Sequence, residues 1–170
     1  MNISQLLYQS AKIYPDRPAV SLGNIKYASY RELFLKVENC AGNLVNRLHL
    51  SPGDHVAVIL DNSPEYLEIL YSCWYAGLVV VPINFKLHAR EFAFILRDAN
   101  IKVCFTKEKI ANELEKTVNK GVELINVGTD EYKKLSSPSG SLEKYPSNDH
   151  DPAWLFYTSG TTGKPKGVIL

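Results

Sequence analysis

At 170 residues, with 45% hydrophobic and 22% charged residues, the chain has the length of one globular domain and enough apolar material for a sizeable core. A net charge of +1 gives no electrostatic reason to expect nucleic acid or an anionic membrane surface as partner. No apolar run approaches a membrane span, and Met1-Asn2-Ile3-Ser4-Gln5 lacks the basic start and apolar core of a signal peptide, so a cytoplasmic protein is expected.

Ile3, Leu6, Leu7 and Tyr14 predict an amphipathic helix that Pro15 stops. Two β-prone runs follow, Ala19-Val20-Ser21-Leu22 and Ile25-Lys26-Tyr27, and the Gly23-Asn24 pair between them predicts a tight hairpin. Ser29-Tyr30-Arg31-Glu32 has the form of a capping box, in which the serine hydroxyl and the glutamate carboxylate each take an amide at the start of a helix. Behind it, Leu33, Val37, Ala41, Leu44, Val45 and Leu48 recur at three- and four-residue spacing, the pattern of a helix packed on a core.

Pro52-Gly53 turns the chain into the strand Val56-Ala57-Val58-Ile59-Leu60. Ser63 is placed to cap the next helix, with Pro64 at its first position, and Gly77 to end it after Ala76. Leu78-Val79-Val80-Val81 is apolar throughout, the mark of a strand covered on both faces. The alternation continues with a helix around Arg90–Asp98, a strand at Lys102–Phe105, a helix around Glu108–Val118 and a strand at Val122–Val127. Strand–helix–strand repetition with apolar strands predicts an α/β fold: a mainly parallel sheet with helices on both faces, preceded by a small amino-terminal hairpin.

From Gly128 to Pro152 periodicity fades into serine-, proline- and asparagine-rich composition, read as a surface excursion with a short helix around Asp130–Leu135. Cys40, Cys73 and Cys104 are odd in number and far apart, which argues against a zinc site or a disulfide framework, and Cys104 reads as a small buried hydrophobe. His49, His55, His88 and His150 form no ligand pattern.

The most informative stretch comes almost last. Ala153-Trp154-Leu155-Phe156 predicts a buried strand feeding a loop, Tyr157-Thr158-Ser159-Gly160-Thr161-Thr162-Gly163-Lys164-Pro165-Lys166-Gly167-Val168. Its glycines allow backbone amides to approach a ligand, because no Cβ blocks the way. The hydroxyls of Thr158, Ser159, Thr161 and Thr162 add neutral donors, while Lys164 and Lys166 add charge. Such a cluster suits a polyphosphate. A Walker-type loop fails on spacing: Pro165 follows Gly163-Lys164 where Ser or Thr is needed, and Thr158 stands where the first glycine should be.

The stretch resembles, without a break across its twelve positions, the phosphate-binding signature of the adenylate-forming superfamily, which includes acyl- and aryl-CoA synthetases, luciferases and peptide-synthetase adenylation domains. Tyr30-Arg31-Glu32-Leu33, Asn62-Ser63-Pro64-Glu65 and Ala76-Gly77 with Val80-Val81-Pro82-Ile83-Asn84 resemble positions in the same family's amino-terminal domain, although caps and turns alone explain each of them. Asn84-Phe85-Lys86-Leu87-His88-Ala89-Arg90-Glu91 is closer to the CoA ligases than to peptide-synthetase domains.

The resemblance implies that residues 1–170 are the incomplete amino-terminal, ATP- and acyl-binding domain of an AMP-forming carboxylate–CoA ligase, with its phosphate loop at 157–168. ATP, Mg²⁺ and CoA are the implied cofactor set, with a carboxylic acid as substrate. Amides near Gly160 and Gly163, with the hydroxyls of Thr158, Ser159, Thr161 and Thr162, would cradle the departing pyrophosphate. Lys166 is the better charge contact, since the family varies at Lys164, and Thr158 would touch the Mg²⁺ shell. The adenine and acyl pockets and the catalytic lysine are expected beyond Leu170. Other readings are a non-catalytic remnant or binding module of the same fold, a peptide-synthetase-type adenylation domain, and a kinase with an unrelated glycine-rich loop.

Overall fold

The computed structural model describes residues 1–117, 121–140, 142–158 and 165–170. Helix α1 (Ser4–Ile13) leads to the antiparallel hairpin β1 (Pro18–Leu22) and β2 (Ile25–Ser29), turned at Gly23 with φ +59°. Helix α2 (Tyr30–Asn46) starts at the expected capping box: Glu32 N donates to Ser29 Oγ at 3.3 Å, and Ser29 N donates to Glu32 Oε2 at 2.7 Å.

Four parallel strands form the central sheet: β3 (His55–Ile59), β4 (Val79–Pro82), β5 (Val103–Thr106) and β6 (Glu123–Asn126), in the order β4-β3-β5-β6. They are linked by α3 (Pro64–Tyr75), α4 (Ala89–Asp98) and α5 (Glu108–Leu114), and α6 (Asp130–Leu135) follows β6. Period-two alternation divides the core between the two faces. Val56, Val58, Val80 and Phe105 point toward α2, α3 and α6, while Ala57, Ile59, Val81 and Cys104 point toward α4 and α5. Phe105 and Phe92 are sealed on opposite sides of the sheet, and each contributes about 1.5–3 kcal/mol by leaving water.

Two details depart from the sequence expectation. Ser63 adopts the extended N-cap backbone, but its hydroxyl does not cap α3, because Tyr66 N already donates to the Ser63 carbonyl at 3.1 Å. Helix α5 ends at Leu114, short of the expected Val118, which lies outside the described residues. Gly77 ends α3 as expected: with φ +76°, its amide reaches Trp74 O at 3.1 Å and that of Leu78 reaches Cys73 O at 2.8 Å, which satisfies the last carbonyls. A Cβ there would also lie 2.5 Å from the Tyr145 ring.

The segment read as a surface excursion is bound to the core. Tyr145 N donates to Tyr75 O at 2.9 Å, and Tyr75 OH donates to Leu142 O at 3.2 Å. The buried Asn2 amide bonds both Trp74 O and Tyr145 O. Ser136 Oγ donates at 2.6 Å to Oε1 of Glu68, a carboxylate 99% buried at the side chain. Tyr27 OH and the Lys36 ammonium satisfy Oε2 at 3.2 and 3.5 Å. Burial alone would pull the Lys36 pKa down, but bonds to Tyr27 and Glu68 outweigh it and the net shift is upward. One buried acid thus holds β2, α2, α3 and the residues after α6 together.

Candidate functional site

The donor-rich stretch lies on an antiparallel hairpin formed by β7 (Leu155–Thr158) and β8 (Lys166–Ile169). Alternation along β7 buries Leu155, exposes Phe156, half-buries Tyr157 and exposes Thr158. This corrects the expectation of a buried strand at 153–156. Only one face of β7 meets the core, because its partner is the exposed β8 rather than a second covered strand.

The hairpin docks on the β4 edge of the parallel sheet. Val80 N donates to Ala153 O at 3.1 Å, and Val80 forms a parallel bridge with Trp154. Trp74 Nε1 also donates to Ala153 O at 3.1 Å. Trp154 packs edge-on against Trp74, with ring centroids 4.8 Å apart, and stacks on Phe156 at 5.1 Å.

Thr158 pairs with Lys166, and Tyr157 pairs with Gly167. Of the site residues expected from sequence, Thr158 and Lys166 are therefore brought side by side at the end of the hairpin, both exposed. Ser159, Gly160, Thr161, Thr162, Gly163 and Lys164 lie outside the described residues. Among the described residues no acidic side chain pairs with Lys166, so its ammonium is available to an anion. Among them, too, no three acidic, histidine or cysteine side chains converge as a metal site. Mg²⁺ held mainly by phosphate oxygens and water needs no such cage, and one exposed hydroxyl such as that of Thr158 fits this mode.

A second feature was not singled out from sequence. In the order β4-β3-β5-β6 the chain leaves β3 toward β4 and then crosses back to β5, so the winding reverses between β3 and β5. A cleft of about 540 Å³ opens at the carboxyl ends of these strands, with Ile59, Leu60, Phe85 and Phe92 in its walls and Lys86 and Lys109 among its lining. Lys107 Nζ lies 2.6 Å from Asp61 Oδ1 across it, an ion pair by distance without the angle of a directed hydrogen bond. The walls are apolar and the charged lining is mixed, with Lys86, Lys107 and Lys109 beside Asp61 and Glu113. The available signal was position: these lysines follow the strand ends, where open α/β sheets bind ligands.

The sequence profile of the family described as AMP-binding enzyme matches residues 7–170. A 2-succinylbenzoate–CoA ligase of Bacillus velezensis is 32% identical over 95% of this chain and 32% of its own length. A fatty acid–acyl-carrier-protein ligase of Streptomyces coeruleorubidus is 32% identical over 92% of this chain and 30% of its own. The solved N-terminal domain of FACL13 from Mycobacterium tuberculosis superposes with a TM-score of 0.85 at 29% identity, over 99% of this chain and 44% of that one. The chain belongs to the AMP-binding enzyme family, the adenylate-forming ligases, and spans about a third of the length of these curated relatives. No helix among the described residues is long and apolar enough to cross a membrane.

Proposed function

We propose that this chain is the partial amino-terminal domain, residues 1–170, of an AMP-forming carboxylate–CoA ligase, and that residues 157–168 bind the phosphates of ATP. The observation that carries this reading is the pairing of Thr158 with Lys166, which brings the two ends of an unbroken family signature together beside an available ammonium group. Closely spaced donors with a flanking cation suit a polyphosphate.

In the first step a carboxylate oxygen attacks the α-phosphorus of ATP. The new O–P bond forms as the α–β bridging bond breaks, and its electron pair leaves with pyrophosphate. The CoA thiol then attacks the acyl carbonyl, and AMP departs. This chain's contribution is electrostatic: the amides near Gly160 and Gly163, the hydroxyls of Thr158, Ser159, Thr161 and Thr162, and the Lys166 ammonium neutralise charge accumulating on the leaving pyrophosphate. Lys164 adds charge from the same loop. When bound, Mg²⁺ would supply Lewis-acid neutralisation of the phosphates, with the Thr158 hydroxyl as a ligand. The reaction so read belongs to the cytoplasm, where ATP and CoA are available.

The likeness to a relative named for an acyl-carrier-protein acceptor supports a second reading, in which a carrier-bound thiol replaces CoA in the second step. Incubating the full gene product with ATP, Mg²⁺, CoA and a panel of ¹⁸O-labelled carboxylic acids tests the shared first step. AMP carrying one label is the expected product. Release of ADP, with no label in any nucleotide, would instead support phosphoryl transfer of the kinase type and overturn the ligase reading.

A further inference from the structure

Besides its docking on β4, the hairpin that presents Thr158 and Lys166 is tied to α4 by the phenol of Tyr157. Tyr157 OH donates to Asp98 Oδ2 at 2.6 Å, across 59 residues of sequence. Asp98 is the last residue of α4, where the carbonyl end of the helix dipole disfavours a carboxylate, so this acid sits where helix electrostatics alone would not put it. The helix end is itself fixed to the central sheet: His55 Nδ1, on the first residue of β3, lies 2.6 Å from the carbonyl of Ala99. A carbonyl only accepts, so that nitrogen carries the proton. On its other side the Tyr157 ring lies over Gly167, where a Cβ would come within 3.4 Å of Tyr157 Cζ and 2.9 Å of Leu155 Cδ1. Burial first, then the bond to Asp98 and its charge, push the Tyr157 pKa upward, so the phenol remains a donor at neutral pH.

The contacts run in sequence from β3 through the end of α4 to Asp98, Tyr157 and Gly167, and they end one residue from each of the two outward donors. We infer that Tyr157 and Asp98 are positioning residues that fix Thr158 and Lys166 relative to the parallel sheet, and that this placement sets the affinity of the site for pyrophosphate. The inference rests on the phosphate-binding reading above. A hydrogen bond to an ionised acceptor is among the stronger ones, and two donors displaced together lose geometry toward one anion.

The test is calorimetric titration of magnesium pyrophosphate into the full gene product and into Tyr157→Phe, Asp98→Ala and Asp98→Asn, with thermal unfolding of each. Tyr157→Phe and Asp98→Ala should weaken pyrophosphate binding about tenfold at nearly unchanged unfolding midpoints. For Asp98→Ala this runs against simple electrostatics, since removing a negative charge should favour an anion. Asp98→Asn keeps an oxygen that accepts from the phenol and should stay within about threefold of the wild type. Wild-type affinity in Tyr157→Phe overturns the clamp while leaving the phosphate reading intact. So does an Asp98→Asn variant as impaired as Asp98→Ala. A wild-type protein that binds no pyrophosphate overturns the phosphate reading and this role with it.

Discussion

Glu32 shows how much one exposed residue can carry. Its carboxylate accepts the Ser29 amide, meets Lys26 at 3.4 Å, and is held down to about 2 from an ordinary 4.5, mainly by the backbone and side-chain bonds to Ser29 and then by Lys26. A depressed folded pKa stabilises the fold above the unfolded value and loses that contribution as pH falls through the folded value. Glu32→Gln keeps a side-chain oxygen for the cap but cannot titrate. The wild type should therefore melt higher than the variant at pH 6, with the difference shrinking below about pH 4.5 and vanishing near pH 2; a difference independent of pH would contradict this. The cap was readable because its chemistry is contained within four residues. Ser63 was misread for a complementary reason: the competing Tyr66 amide bond to the Ser63 carbonyl depends on local backbone geometry that residue identity does not fix. The bond from Tyr157 to Asp98 was invisible in sequence, since nothing local joins residues 59 positions apart.

At the scale of elements, apolar runs located the strands of the parallel sheet and three-to-four spacing its helices, to within a few residues, because burial on both faces makes a strand apolar along its length. The same reasoning failed at β7. An apolar run of four residues does not say whether one face or two will be covered, and here the answer lay in the antiparallel pairing with β8. The stretch after α6 carried no period, yet it is held by hydrogen bonds to Tyr75, Asn2 and Glu68, which periodicity cannot report. The hairpin's attachment to β4 rests on few contacts, among them Trp154. Trp154→Ala should cost about 1–3 kcal/mol, less than a fully buried tryptophan, and should speed amide exchange in β7 and β8 before β3 and β5. Equal acceleration across all four strands would show that the hairpin does not open separately.

For the whole molecule, the strand order places the docked hairpin beside β4, while the cleft opens at the carboxyl ends of the parallel strands. Strand β8 pairs only with β7 among the described residues, and Val168, Ile169 and Leu170 are 47%, 64% and 67% exposed. An apolar strand with an unpaired edge favours association. The 170-residue polypeptide produced alone should self-associate in sedimentation at micromolar concentration; a monomer with a sharp, reversible unfolding transition would contradict this. The family was legible from twelve residues because they resemble its signature, and the carboxylic acid of the proposed reaction was not legible.

The most direct test of the account is exchange of labelled pyrophosphate into ATP by the full gene product, with a panel of aliphatic and aromatic acids. Exchange that depends on a carboxylate, and falls about tenfold or more in Lys166→Ala, is the predicted result. Exchange absent with every acid, or equally fast without one, would contradict the assignment of residues 157–168 to the pyrophosphate of an adenylate-forming reaction.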